Sequence, residues 1–232
     1  NIRKWLWSPG DHLYLDSYGS EKCSQQTQVY AILYGLVDPA DKPVLVEKVA
    51  AMNRSSEQAF SYYLLYSMFD ERPQWSLDYI RKYWGDQMKL PLFNGGWHEA
   101  WDIGKWPNEI ASTSHAWSSG PTALLPQKVL GVEPVSGGWK QFSVKPNPCD
   151  LKWAKGTVPT PFGAIRVEWN IDDKGAFDLY VKVPENTSAE IIVPGDNPEK
   201  IKVNGKHVYT FTYQNGRISF QAGPGEYKIV AI

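Results

Sequence analysis

Apolar residues recur at helical spacing through the first part of this chain and at alternate positions through the last part, with a glycine- and tryptophan-rich stretch between them. From Ser24 to Val37, the positions of Tyr30, Leu33, Tyr34 and Val37 predict a helix that Asp38-Pro39 ends. Asp41 is placed to cap a second helix carrying Leu45, Val49 and Met52. Ser55 and Gln58 have the spacing of a capping box for a third, with Phe60, Tyr63, Leu64 and Met68 as its apolar stripe. Leu77, Ile80 and Trp84 mark one face of a fourth, and Gly85 is placed to end it in the left-handed conformation. Short connections between these helices predict antiparallel neighbours, as in stacked helical hairpins. Before about Tyr18 only the turn Ser8-Pro9-Gly10-Asp11 is distinct. A last helix is expected over Gly120–Gly131, with Pro121 in its first turn and a kink at Pro126.

The period then changes from helical to two. Ile165, Val167 and Trp169 alternate with Arg166 and Glu168, and Phe177, Leu179, Val181 and Val183 alternate with Asp178, Tyr180 and Lys182. Asn204-Gly205 and Asn215-Gly216 signal hairpins, flanked by Tyr209, Phe211, Tyr213, Ile218 and Phe220. The expected fold is therefore α+β and multidomain, a helical domain over residues 1–132 followed by an antiparallel β-sandwich over residues 133–232. Val132–Gly138 reads as the linker, and Trp153 and Trp169 as sandwich core.

Composition narrows the chemistry. A formal net charge of −1 without long single-sign runs gives no electrostatic footprint for nucleic acid or an anionic membrane, and no apolar run has the length of a membrane span. Cys23 and Cys149 form neither a disulfide framework nor a metal knuckle, and the four histidines are scattered, so two free thiols, no metal and no cofactor are expected. Asn186-Thr187-Ser188 matches a glycosylation sequon and reads as a turn.

The stretch from Gly95 to Pro121 is where chemistry concentrates. It gathers Trp97, Trp101, Trp106 and Trp117 with His98, Glu99, Asp102 and His115 between structure-breaking glycines and a proline. A carboxylate is a suitable acid or base at an acetal carbon, and indole faces are flat apolar platforms for a pyranose ring. Glu99 is the candidate catalytic residue, and His115, Trp97, Trp101, Asp102 and Trp106 are the candidate sugar contacts.

These residues also carry a family resemblance. The run Ser114–Thr122, Lys128–Val132, Gly138-Trp139-Lys140 and Ala154–Pro161 resembles the C-terminal part of bacterial α-L-rhamnosidases, and Trp97–Asp102 resembles that family's Trp-x-Glu-x-Trp-Asp segment. The resemblance implies the C-terminal portion of an (α/α)6 barrel followed by a β-sandwich, and hydrolysis of terminal α-linked L-rhamnose with inversion. It implies Glu99 as general base, His115 as sugar contact, a rhamnose-containing glycoside or polysaccharide as substrate, and a periplasmic or extracellular location. The family's general acid sits in a motif far upstream, among the first barrel helices, and Asp70-Glu71-Arg72 followed by Pro73 reads as a solvated helix end rather than as that motif. The expectation is a C-terminal piece of a longer enzyme, partnered by the N-terminal remainder and inactive alone. Two alternatives stand beside it: a non-catalytic carbohydrate-binding or scaffold module, and a barrel hydrolase or lyase acting on another sugar.

Overall fold

The computed structural model describes residues 2–102, 111–195, 197–207 and 210–231, and the chain divides into two compact units, Asn1–Thr122 and Ala123–Ile232. The first begins with a short helix α1 (Ile2–Leu6) and a small hairpin of β1 (Trp7–Ser8) and β2 (Leu13–Tyr14) around the expected turn, where Ser8 Oγ donates to Asp11 Oδ2 at 2.7 Å. Helices α2 (Gln25–Leu33), α3 (Lys42–Ala51), α4 (Ser61–Met68) and α5 (Pro73–Gln87) follow. Helix α2 packs on α3 and α4, and α4 on α5. Val29, Leu45, Val49, Leu64, Leu65, Met68 and Phe69 are fully shielded at their centre. Each such side chain contributes about 1.5–3 kcal/mol on leaving water.

The helical pattern misjudged several local details, each for a physical reason. Helix α2 buries Gln25, Gln28, Val29 and Ala31, whereas Tyr30 and Tyr34 of the expected stripe are 40% and 72% exposed. The two glutamines are tolerated inside because their amides are bonded: Gln28 accepts from Tyr14 N at 2.8 Å and donates to Tyr14 O at 2.7 Å, and Gln25 donates to Asn53 O at 2.9 Å. Asp41 makes no capping bond, because its carboxylate goes to Arg3 at 2.6 Å and His12 at 3.3 Å, while Pro43 already relieves the first turn of one N–H. The Ser55–Gln58 box does not form. Gln58 is committed to Gln87, and α4 starts later, at Ser61. Gly85 does not end α5, which continues to Gln87 without a left-handed residue there.

A helix α6 (Gly120–Leu124) leads into a π-helical turn over Leu125–Val129, closed by Leu130 N–H donating to Leu125 O at 2.9 Å. This takes the place of the continuous helix expected up to Gly131: Pro126 has no N–H to continue the α ladder, and the widened turn absorbs the loss. Gly131 follows with φ +91°, and a Cβ there would lie 2.3 Å from the Lys145 carbonyl carbon, so only glycine fits.

The second unit holds two sheets. Val132–Pro134, expected as linker, is strand β3 and pairs with β4 (Gln141–Val144). Then come β5 (Trp153–Thr160), β6 (Gly163–Ile171), β7 (Phe177–Val183), β8 (Ser188–Pro194), β9 (Ile201–Val203), β10 (Lys206–His207), β11 (Thr212–Gln214), β12 (Arg217–Ala222) and β13 (Gly225–Ala231). One sheet runs β10-β9-β13-β7-β6-β5 and the other β11-β12-β8-β4-β3; neighbours are antiparallel except β4 and β8, which are parallel. The alternation is realised as expected, with Ile165, Val167, Trp169, Phe177, Leu179, Val181 and Val183 each no more than 4% exposed. A Cβ on Gly195 would touch Ile218 Cδ1 of one sheet at 3.2 Å and Ile201 Cδ1 of the other at 3.6 Å, so the buried faces meet there in a sandwich-like manner. Trp153, expected in this core, is 63% exposed because it pairs with Asn170 in an outward-facing row of β5 and β6. Asn204-Gly205 and Asn215-Gly216 are left-handed, as hairpin turns between twisted strands require.

Candidate functional site

The loop that leaves α5 folds back on itself. Glu99 N–H donates to Ser112 O at 2.9 Å and His115 N–H to Trp97 O at 2.7 Å, so the arm from Trp97 to Glu99 lies beside the arm from Ser112 to His115. Gly96 permits this approach: a Cβ there would sit 3.0 Å from Ser114 Oγ and from Thr113 O. Asn94 Oδ1 fixes the entry by accepting from Gly96 N–H at 3.0 Å.

On this frame Glu99 is exposed, and its Oε2 accepts from Ser112 N–H at 2.9 Å. One carboxylate oxygen is therefore anchored to the opposite arm. Its other oxygen meets no partner among the described residues. His115 is half-buried, with its ring edge-on to Trp117 at 6.1 Å. Trp97 is half-buried against Phe93, with ring centroids 5.6 Å apart.

Trp101 and Asp102 belong to a different hollow. Trp101 is 7% exposed, its Nε1–H donates to Ser56 O at 3.0 Å, and its ring meets Trp84 edge-on at 4.8 Å. Asp102 pairs with Arg54 at 3.2 Å, and the Arg54 guanidinium lies over the Tyr83 and Trp101 rings at 5.7 and 5.8 Å. A cavity of about 510 Å³ is lined by Arg54, Tyr83, Asp86, Gln87, Trp101 and Asp102 among others, and neither Glu99 nor His115 lines it. Behind it, burial pushes the Tyr79 hydroxyl up to about 12, so the phenol stays neutral against Ser61 Oγ. Trp106 lies outside the described residues.

Sequence reasoning passed over His98. It is fully buried, and among the described residues neither ring nitrogen has a hydrogen-bond partner. Its backbone N–H lies 3.1 Å from the Gln87 side-chain oxygen, and the Gln58 and Gln87 carboxamides face each other with contacts of 2.9 and 3.2 Å. No periodicity signals the burial of His98, because residues 97–99 belong to no helix or strand whose repeat would place the ring inside. The run Asp70-Glu71-Arg72 is structural, since Glu71 pairs with Lys42 at 2.5 Å and Arg72 with Glu47. Cys23 and Cys149 are free thiols, and among the described residues no group of three His, Cys, Asp or Glu could hold a metal. No helix of the described residues is long and apolar enough to cross a membrane.

Comparison with known proteins bears on the whole chain. Residues 131–208 match the family described as the bacterial α-L-rhamnosidase C-terminal domain. An α-L-rhamnosidase of Formosa agariphila is 33% identical over 132 residues, which is 54% of this chain and 14% of that protein. The α-L-rhamnosidase of Dictyoglumus thermophilum superposes with a TM-score of 0.81 at 18% identity, covering 98% of this chain and 27% of the other. That of Streptomyces avermitilis, solved with L-rhamnose, gives 0.75 at 20%, covering 95% and 22%. At these identities the superpositions show a shared fold, and the chain spans about a quarter or less of each relative's length. By sequence and by fold, then, the chain is similar to the C-terminal part of a bacterial α-L-rhamnosidase.

Proposed function

We propose that this chain supplies the general base of an inverting hydrolysis of terminal α-L-rhamnosides, and that its helical unit is the C-terminal portion of an (α/α)6 barrel. The observation that carries the reading is the pairing of the two loop arms, which holds an exposed Glu99 carboxylate on one and His115 on the other. Glu99 takes a proton from the water that attacks the anomeric carbon, while His115 contacts the sugar and Trp97 flanks the carboxylate. Ser112 N–H keeps Glu99 in one rotamer, which lowers the cost of orienting the water. Inversion needs a second carboxyl group about 6.5–9.5 Å away to protonate the leaving oxygen. Asp102 is committed to Arg54 and Glu71 to Lys42, so neither fills that role. The family resemblance implies that the acid comes from elsewhere in a longer enzyme, in keeping with relatives several times the length of this chain.

In that longer enzyme, Glu99→Gln lowers kcat on an aryl α-L-rhamnoside by about 10²–10⁴-fold with little change in KM. Turnover near wild type would remove Glu99 from the chemistry. A second reading, a carbohydrate-binding module without catalysis, is favoured by the ion-paired state of Asp102 and Glu71; it expects saturable L-rhamnose binding that Glu99→Gln leaves unchanged.

A further inference from the structure

A second hollow, of about 440 Å³, is lined by Glu57, Ala59, Phe60, Tyr62, Tyr63 and Trp117, and the proposed chemistry at Glu99 leaves it unused. Trp117 is 77% exposed, more than any other large apolar side chain among the described residues. It is nevertheless firmly placed. It sits on the 3₁₀ turn Ala116–Ser118, closed by Ser118 N–H to His115 O and Ser119 N–H to Ala116 O, both at 3.1 Å, and Trp84 Nε1–H of α5 holds Ser118 O at 2.8 Å from behind. An indole held on an ordered turn is a flat apolar platform suited to receive a ligand.

The opposite wall is equally ordered. Phe60 and Tyr63 have ring centroids 5.7 Å apart, and Tyr62 and Tyr63 5.4 Å. Gly120 brings the turn against α4, since a Cβ there would lie 3.4 Å from Tyr62 Cβ; this sets the spacing between Trp117 and the tyrosines. Glu57 is the single charged group of the lining. The hollow adjoins the Glu99 loop through His115, whose ring is 6.1 Å from that of Trp117.

The geometry points to this hollow as the subsite for the leaving-group side of the glycoside, an uncharged pyranosyl or aryl group laid against Trp117 and Tyr62–Tyr63 with its hydroxyl groups donating to Glu57. The identity of the terminal sugar rests on the proposed function; the aromatic subsite does not. The groove begins one side chain beyond His115, on the flank of the loop that carries Glu99, and so lies where the part of the substrate joined to the reacting sugar extends. Apolar ring faces with one carboxylate disfavour a polyanion and fit a neutral amphipathic ring.

The test uses the chain itself and titrates three probes by calorimetry: L-rhamnose, p-nitrophenyl α-L-rhamnopyranoside and p-nitrophenyl β-D-glucopyranoside. Trp117→Ala weakens both aryl glycosides about tenfold and leaves L-rhamnose unchanged, and Trp117→Phe recovers most of the loss. The indole is exposed, so the substitution spares the fold; Tyr63→Leu, at another exposed ring of the lining, is the second variant and weakens the same two probes. If L-rhamnose fails to bind while the aryl glycosides retain their dependence on Trp117, the subsite stands and the rhamnoside reading falls. Aryl glycosides that do not bind, or whose affinity Trp117→Ala changes less than twofold, overturn the subsite. So does a self-association of the chain that Trp117→Ala abolishes, which would make a second copy the occupant.

Discussion

The interiors of the two units are built on different terms. Among the described residues, the helical unit buries Gln25, Gln28, Ser56, Gln58, Ser61, Ser67, Ser76, Gln87, His98 and Ser118, whereas the sheet unit buries only Lys128, Asn147 and Thr187 of this kind. A sheet satisfies its backbone through its own ladders, so its side chains are free to be apolar; the segments before α2 and after α5 have, among the described residues, only the two-residue ladder of β1 and β2 and need side-chain amides to close their remaining bonds. The polar interior is therefore where the loops that carry Glu99 and Trp101 are fastened. Gln25 reaches Asn53 O, Gln28 clamps Tyr14, and Gln87 meets the His98 N–H beside the Glu99 arm.

The strongest way to break this comparison is at Gln28. Gln28→Ala strands the Tyr14 N–H and C=O in a buried site, at a cost of about 2–4 kcal/mol for the two groups together. Gln28→Leu restores the volume without the bonds and is expected to be nearly as costly. The measurement is urea unfolding combined with amide exchange of α2 and α3. If the leucine variant matched wild type, buried amides would be merely tolerated and the contrast between the units would carry no structural meaning.

That contrast also governs what could be read from the chain. Strand faces were legible because Ile165, Val167 and Trp169 obey a simple rule in which apolar means inward. The rule failed at Trp153, where the row and not the residue type decides exposure. In the helical unit, Leu77, Ile80 and Trp84 were placed correctly, but α2 turned its glutamines inward and its tyrosines outward. Hydrophobic periodicity cannot detect a buried face whose polar groups are paired with partners distant in sequence, and Gln58 with Gln87 is such a pair. The loop chemistry was legible as residue types, Glu99 and His115 among them, while the separation of Trp101 and Asp102 into another hollow depends on Arg54, far away in the chain.

His98 sharpens the comparison from the other side. It is a buried polar residue whose ring, unlike the glutamines, fastens nothing among the described residues. His98→Leu removes two unbonded nitrogens at similar volume, so stability is expected to stay level or rise by up to about 1 kcal/mol. A loss above that value in the same urea experiment would mean that the ring is bonded after all, and that every buried polar group in this unit is structural. An unchanged stability with weakened L-rhamnose binding would instead tie His98 to the orientation of the neighbouring Glu99 arm.

The smallest effect concerns charge at the start of the helical unit. The hydrogen bond from Arg3, aided by His12, holds the Asp41 carboxyl below its ordinary value of 3.8. For Asp16, desolvation pushes upward, but bonds from Thr27 and Ser24 outweigh it and the net direction is also down. A carboxylate depressed in the folded state contributes stability that is present above the unfolded value and is lost as pH falls through the folded one. Acid unfolding of this region is thus expected to begin below 3.8. Asp41→Asn should lower stability at neutral pH and converge with wild type in strong acid, as followed by circular dichroism. Because the Arg3 pair joins two full charges, about 0.15 M salt should shrink the Asp41 effect more than that of Asp16→Asn, whose hydrogen bonds come from neutral hydroxyl and amide groups. An acid limb identical in wild type and both variants would show that neither carboxylate helps to fasten the segment ahead of α2.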